Sequence, residues 1–68
     1  NSVSDAGVGA LCARTAVMGA FMNVRINAGG YDDKVFVKEI LAKGKEIENK
    51  TIALETDILN IIDGKLGN

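Results

Sequence analysis

The sequence predicts an all-α protein, an antiparallel hairpin of two long helices. No proline occurs in the 68 residues, so the strongest helix breaker is absent throughout. Apolar residues make up 47% of the chain but aromatic residues only 4%, which indicates an aliphatic, alanine-based core. The short connection Gly29-Gly30 separates two long uninterrupted stretches. A connection of this length favours helices that lie side by side and run in opposite directions.

The first helix is predicted over about residues 4–27. Ser4 is a suitable N-cap, and Asp5 then lies in the first turn, where the helix dipole favours a negative charge. Arg25 lies near the opposite end, where the dipole favours a positive charge. The turn at 28–31 contains two glycines, which can supply the positive-φ residue that commonly ends a helix.

The second helix is predicted over about residues 32–63. It begins at Asp32 or Asp33, both of which are good N-cap residues. With Asp32 as the cap, Tyr31 and Phe36 have the spacing of a hydrophobic staple across the helix start.

A heptad pattern runs along the second helix, in steps of three and four residues. Its members are Val37, Ile40, Gly44, Ile47, Thr51, Leu54, Ile58 and Ile61. Such a pattern predicts the face that packs against another helix. Gly44 in the middle of a helix costs about 1 kcal/mol relative to alanine, so we expect a close neighbour there. Gly9, Ala10 and Ala13 of the first helix would allow a close backbone approach.

The first helix is apolar or small-sided on all its faces. Residues 1–30 contain three charged residues and eleven alanines or glycines. A helix of this kind belongs in the middle of a bundle, so we expect the hairpin to be a fragment of a larger helical bundle and to form a homo-oligomer. A membrane span is the competing interpretation of the first helix, but Arg14 near the centre of its apolar stretch argues against it.

Composition excludes several function classes. The net charge of −1 argues against a nucleic-acid partner. With one cysteine and no histidine, the chain can form no internal disulfide and no zinc finger, and we predict no metal site. The chain lacks an initiator methionine and a signal-type start, so we expect a piece of a longer, cytoplasmic protein.

Two arginines stand out in the first helix. Arg14 and Arg25 are eleven positions apart and therefore share one face, about 16 Å apart along the axis. They could hold the two ends of an extended dicarboxylate. Alternatively they pair with acids of the second helix. In that case Arg14 would lie near Glu46 or Glu48, and Arg25 near Asp32 or Asp33.

The other polar residues allow both structural and functional interpretations. Asp5 fits a dipole-stabilising charge or, alternatively, a functional carboxylate. Asn23 fits an interhelical hydrogen bond or a ligand contact, and Asn27 fits a residue of the helix end. Cys12 has no local base, which predicts a small buried residue rather than a nucleophile.

Part of the sequence resembles a known family. The residues concerned are the opening Asn1-Ser2-Val3-Ser4-Asp5-Ala6-Gly7-Val8-Gly9-Ala10 and the later run Ala13-Arg14-Thr15-Ala16-Val17-x-Gly19-Ala20-x-x-Asn23-Val24-Arg25-Ile26-Asn27. They are similar to the folate cyclodeaminase/cyclohydrolase family, which includes the cyclodeaminase part of formiminotransferase-cyclodeaminase and bacterial methenyltetrahydrofolate cyclohydrolases. The resemblance covers the first 27 residues.

The resemblance implies a parent enzyme of one-carbon metabolism that is all-helical and dimeric, a hydrolase or lyase of which this chain is roughly the last third. Its substrate would be a tetrahydrofolate derivative, with no metal. Asp5 would be a catalytic carboxylate near the reacting nitrogens or the pterin, and Arg14 and Arg25 would anchor folate carboxylates or a buried acid. Asn23 and Asn27 would add polar contacts to the substrate.

The family's upstream glycine-rich segment has no counterpart here, so the fragment alone should be inactive. A helical oligomerisation module without catalysis is the alternative.

Overall fold

The computed structural model describes residues 2–67, and these form two helices joined by a short turn. Helix α1 spans Ser2–Ala28 and helix α2 spans Lys34–Leu66. Gly7 lies against Ile62 and Phe21 against Gly44, so the two helices run antiparallel. The hairpin is a rod with extents of 52 × 15 × 13 Å. The predicted all-α helical hairpin is thereby confirmed.

The turn between the helices closes without a left-handed residue. The amide of Gly30 donates to the carbonyl of Asn27 at 3.1 Å, and the amide of Tyr31 donates to that of Ala28 at 3.2 Å. These two i→i+3 bonds satisfy the last carbonyls of α1. The expectation that the glycine pair supplies a positive φ is therefore wrong, and within residues 2–67 only Gly67 has one.

Helix α2 begins after Asp33, whose side-chain oxygen accepts a hydrogen bond from the Phe36 amide at 3.0 Å. The rings of Tyr31 and Phe36 lie 6.0 Å apart, so the predicted contact forms, although the cap is Asp33 and not Asp32. The helix continues past its expected end at residue 63. It stops at Gly67, whose φ of 83° is left-handed and whose amide donates back to the last turn.

The seam of α2 against α1 is not the predicted one. The predicted positions Ile40, Ile47, Leu54 and Ile61 lie exposed at the side of the hairpin. The buried or half-buried residues of α2 are Val37, Leu41, Gly44, Glu48, Thr51, Glu55, Ile58, Leu59 and Ile62. The predicted and observed heptads share Val37, Gly44, Thr51 and Ile58. The other four positions of the observed heptad are Leu41, Glu48, Glu55 and Ile62, each one residue after the predicted position. The shift places Glu48 and Glu55 in the interface.

The close approach at Gly44 also differs from expectation. The neighbour is the ring of Phe21, and a Cβ on Gly44 would overlap that ring. The backbone of Gly9, by contrast, is open, since a Cβ there would meet nothing within 4 Å. Phe21 is 7% exposed, so the missing side chain of Gly44 makes the room that buries the largest apolar side chain of α1.

Much of the apolar surface of the hairpin remains exposed. The buried apolar residues within 2–67 are Phe21, Ala28 and Ile62, whereas fourteen large apolar side chains are exposed. Large exposed apolar patches commonly mark surfaces that contact other proteins or other segments of the same protein. The expectations that the hairpin is a fragment of a larger bundle and that it forms a homo-oligomer stay predictions.

By length and composition, α1 would also be able to cross a membrane. Core helices of soluble proteins meet the same criterion, so this property does not discriminate between the two settings.

Candidate functional site

Arg14 forms the central polar contact between the helices. Its Nε donates to Oε2 of Glu55 at 2.5 Å, and its Nη1 donates to the sulfur of Met18 at 3.1 Å. The side chain of Glu55 is 13% exposed and that of Arg14 is 33% exposed. Pairing with an acid of α2 was one of the two predicted arrangements. The partner is Glu55 and not Glu46 or Glu48, because the helices are offset from the register assumed in that prediction.

A second acid lies in the same seam one heptad earlier. Glu48 is 7% exposed, and Lys45 of the same helix donates to its carboxylate at 3.1 Å. Both interface acids of α2 thus have a cation, one from α1 and one from α2 itself. This pairing removes the cost of an isolated charge that is largely out of water.

Arg25 lies over an aromatic ring near the turn. Its guanidinium carbon is 5.1 Å from the ring centroid of Phe21, a cation–π contact. The predicted pairing of Arg25 with Asp32 or Asp33 does not form, and Asp33 serves instead as the cap of α2. Arg25 is exposed and the ring does not neutralise its charge, so its guanidinium can still bind a carboxylate.

Asn23 and Asn27 contact each other on the outer side of α1. The Asn27 amide nitrogen donates to the backbone carbonyl of Asn23 at 2.9 Å and to its side-chain oxygen at 3.2 Å. Both residues are exposed, so Asn23 does not make the interhelical bond that was one of its two predicted roles. The side chain of Asn27 hydrogen-bonds Asn23 within the last turns of α1, in agreement with its interpretation as a residue of the helix end.

Asp5 lies exposed in the first turn of α1, as expected for a charge that the helix dipole favours. Asn23 is on the same side of the helix but about 27 Å farther along the axis. Cys12, on this side too, is exposed, and the prediction that it is buried is wrong.

The five candidate residues therefore form two groups on different sides of α1. Arg14 and Arg25 lie toward α2, whereas the others lie on the side away from it, namely Asp5, Asn23 and Asn27. The structure brings Asn23 together with Asn27 but does not gather the five around one pocket. Their roles as site residues remain predictions.

Glu55 is the polar residue that the sequence reasoning did not single out. The signal was available, because Leu41, Glu48, Glu55 and Ile62 repeat every seven residues. Two of these four residues are acids, so a search for apolar residues at heptad spacing does not detect the pattern.

An apolar groove opens along one side of the hairpin. It encloses about 330 Å³ near the turn. Its lining residues are Val17, Ala20, Phe21, Val24, Ile40, Lys43, Gly44 and Ile47. Lys43 is the one charged residue of the lining, so the groove suits an apolar side chain better than an ionic ligand. Within residues 2–67, no group of three or more metal-ligating side chains occurs.

The amino-acid sequence of the hairpin matches the profile of a protein family. The sequence profile of formiminotransferase-cyclodeaminase matches residues 1–46, which include all of α1 and the start of α2. The chain belongs to this family. The match extends well beyond the 27 residues that carried the resemblance.

A relative of known activity is similar along nearly the whole chain. A methenyltetrahydrofolate cyclohydrolase from Methylorubrum extorquens is 35% identical over 66 residues, or 97% of this chain. The chain spans about a third of that relative's length, 32%. No solved structure matches.

Proposed function

We propose that this chain is the C-terminal part of a folate-dependent enzyme of one-carbon metabolism, a methenyltetrahydrofolate cyclohydrolase or a formiminotetrahydrofolate cyclodeaminase. The observation that supports this most is the similarity to a cyclohydrolase over 97% of the chain. The substrate would be a tetrahydrofolate derivative, and the setting a cytoplasmic, homo-oligomeric enzyme.

The two reactions need similar proton transfers. In cyclodeamination, N10 of 5-formiminotetrahydrofolate attacks the formimino carbon and ammonia leaves. In the cyclohydrolase reaction, water adds to the 5,10-methenyl carbon, and the bond from that carbon to N10 or N5 breaks to give the formyl product. Both call for a group that moves a proton at nitrogen and for negative charge near the cationic carbon centre. We assign the negative charge to the carboxylate of Asp5, which is exposed in the first turn of α1.

The two arginines differ in their suitability as anchors for the folate carboxylates. Arg14 already neutralises Glu55 in the seam, so binding a second carboxylate would require this pair to open. Arg25 is exposed, and its ring contact with Phe21 holds the guanidinium without neutralising its charge. We therefore assign carboxylate binding to Arg25 and the positioning of α1 against α2 to Arg14.

Asn23 and Asn27 complete the proposed set. Their hydrogen bond fixes the two side chains relative to each other on the exposed side of α1. We propose that they contact the substrate there. Since the five residues face two sides of α1, the remaining two thirds of a protein of the relative's length would supply the rest of the site. The isolated chain should be inactive.

The test uses a full-length enzyme that contains this sequence. Arg25→Ala should raise the KM for the folate substrate at least tenfold, because one charge-assisted contact is lost, and Arg25→Lys should recover part of the loss. Asp5→Asn should lower kcat at least tenfold. Methenyltetrahydrofolate absorbance reports both reactions. Lys38→Ala, at an exposed position of α2, is the control and should retain wild-type rates. Wild-type kinetics in Arg25→Ala and Asp5→Asn would remove these two assignments.

The exposed apolar surface favours a second candidate, a helical interaction module without catalysis. The same full-length protein distinguishes the two. A folded, oligomeric protein that neither converts nor binds a tetrahydrofolate derivative would support the interaction module.

A further inference from the structure

The ring of Phe21 contacts both helices of the hairpin near the turn. It lies against the backbone of Gly44 in α2, and the guanidinium carbon of Arg25 lies 5.1 Å from its centroid. Phe21 is 7% exposed, whereas Arg25 is exposed. A charged group at the surface of the hairpin is therefore held by a ring that is buried between the helices.

Gly44 determines where this ring can lie. A Cβ at position 44 would overlap Cδ1 and Cε1 of Phe21 and would lie 3.2 Å from its Cζ. A phenyl ring is rigid, and this one is packed between two helices, so the overlap cannot be relieved by a small shift of a flexible chain end. Any residue larger than glycine at position 44 would turn or displace the ring.

A displaced ring would in turn affect Arg25. Phe21 and Arg25 are four positions apart on α1, so their side chains are neighbours on the helix surface. The negative face of the ring attracts the guanidinium and restricts a side chain that otherwise has many rotamers. Through the ring, residue 44 of α2 thus acts on a charged group of the other helix.

Arg25 has no acidic partner among residues 2–67. The ion pairs within this range are Arg14–Glu55, Lys45–Glu48 and Lys50–Glu46. A carboxylate ligand of Arg25 would therefore displace no carboxylate of the hairpin. The remaining cost of binding at this side chain is its loss of freedom, and the contact with the ring removes part of that cost before the ligand binds.

We infer that Gly44 and Phe21 are positioning residues for substrate binding. The open backbone of Gly44 makes room for the Phe21 ring, and the ring holds the Arg25 guanidinium ready for a carboxylate of the substrate. The inference rests on the proposed function and extends it to a residue of α2. Neither Gly44 nor Phe21 needs to contact the substrate.

Kinetics of a full-length enzyme that contains this sequence test the inference. Gly44→Ala and Phe21→Leu should each raise the KM for the tetrahydrofolate substrate about three- to tenfold, which corresponds to ordering one long side chain on binding. The kcat should stay within about twofold, because the reacting atoms are not affected. Gly19→Ala is the matched control and should retain the wild-type KM, since its added Cβ meets nothing within 4 Å.

A double variant separates positioning from stability. Phe21→Leu makes room for the Cβ that Gly44→Ala adds, so the two changes together should recover part of the thermal stability that Gly44→Ala loses. The KM should stay raised about three- to tenfold, because the aromatic face is still absent. A KM that returns to the wild-type value together with the stability would overturn the inference and leave Gly44 with a structural role alone.

Dependence on the charge of Arg25 and of the substrate gives a second criterion. In an Arg25→Ala background, Phe21→Leu should change the KM by less than about 1.5-fold, because no guanidinium remains to be positioned. The dimethyl ester of the substrate lacks both glutamate charges, so wild type and Phe21→Leu should convert it with equal kcat/KM. Phe21→Leu effects that persist without Arg25, or that are as large with the ester, would overturn the inference.

Fluorination of the ring gives an answer even if Phe21→Leu unfolds. Replacement of Phe21 by 3,4,5-trifluorophenylalanine keeps an apolar ring but weakens its negative face, so its attraction for the guanidinium falls. The KM should rise about two- to fivefold, while circular dichroism should show unchanged helicity. A wild-type KM in this variant would overturn the inference.

The outcomes distinguish this inference from the proposed function. If the wild-type enzyme neither binds nor converts a tetrahydrofolate derivative, the proposed function fails and the inference fails with it. If Arg25→Ala raises the KM but Phe21→Leu and Gly44→Ala do not, the proposed function stands and the inference is overturned.

Discussion

The Arg14–Glu55 pair should couple the two helices energetically, and a double-mutant cycle measures that coupling directly. Arg14→Met and Glu55→Met remove one charge each and keep an unbranched apolar chain of similar reach. Either single variant leaves one charged group largely within the interface without its partner. The double variant leaves neither charge, so it should lose much less stability than the sum of the two singles.

The expected magnitude follows from the burial of the pair. Fully buried pairs cost roughly 3 to 5 kcal/mol when one partner is removed, and exposed pairs contribute about 0 to 1 kcal/mol. Glu55 is 13% exposed and Arg14 is 33% exposed, an intermediate case. We therefore expect each single variant to lose about 2 kcal/mol and the coupling energy to be about 1 to 2 kcal/mol.

Urea unfolding followed by circular dichroism, at one fixed protein concentration, gives the four free energies of unfolding. The exposed pair Lys50–Glu46, with side chains 73% and 62% exposed, is the control cycle. Its coupling should not exceed about 0.5 kcal/mol. If the stability losses of the two single variants add up to the loss of the double variant within about 0.3 kcal/mol, the pair does not couple α1 to α2, and the reasoning is refuted.

Two further predictions concern single positions. Gly44→Ala should lower the free energy of unfolding by about 1 to 3 kcal/mol, although alanine is the better helix former, because its Cβ overlaps the Phe21 ring; Phe21→Leu in the same chain should restore part of the loss. In the control variant Gly19→Ala the added Cβ meets nothing within 4 Å, so the free energy of unfolding should instead rise by up to about 1 kcal/mol. A lower free energy of unfolding in this variant would contradict the packing argument. Asp33→Ala should cost about 1 kcal/mol because the Phe36 amide loses its acceptor, whereas Asp33→Asn should keep most of that stability. Equal losses for alanine and asparagine would show that the side-chain oxygen does not cap α2.

The secondary structure of this protein could be predicted from sequence because its signals are local. The absence of proline, the glycine pair and the aspartates before α2 determine two helices and one turn without reference to tertiary contacts. The Tyr31–Phe36 contact formed as predicted even though the cap lies one residue later. Such an error is small because either aspartate can cap the helix.

The choice of the packing face could not be predicted in the same way. The predicted and observed heptads of α2 share Val37, Gly44, Thr51 and Ile58, and they differ in whether Ile47 or Glu48 lies in the interface. A prediction that places apolar residues in the interface chooses Ile47 over Glu48. The observed face becomes favourable because Arg14 of α1 and Lys45 of α2 supply cations to the two interface acids, which is information from the tertiary structure.

The same register explains what happened to the candidate site. Glu48 and Glu55 both lie in the shifted seam, and the axial register of the two helices brings Glu55, and not Glu48, to Arg14. This neutralised one of the two arginines proposed as carboxylate anchors. Arg25 avoided pairing because the nearby Asp33 is used as a helix cap and the face of Phe21 is available to it. The proposed separation of the arginines into one positioning residue and one ligand anchor therefore depends on the packing of the hairpin.

The central claim is that the exposed apolar surface of the hairpin needs covering by other helices, so that the 68-residue chain on its own is stable only when it associates. Thermal unfolding of the wild-type chain, followed by circular dichroism at two protein concentrations about a hundredfold apart, tests this most directly. Because association stabilises only the folded state, the midpoint should rise by several degrees at the higher concentration. The same midpoint at both concentrations, with full helicity, would show a self-sufficient monomer and would contradict the account.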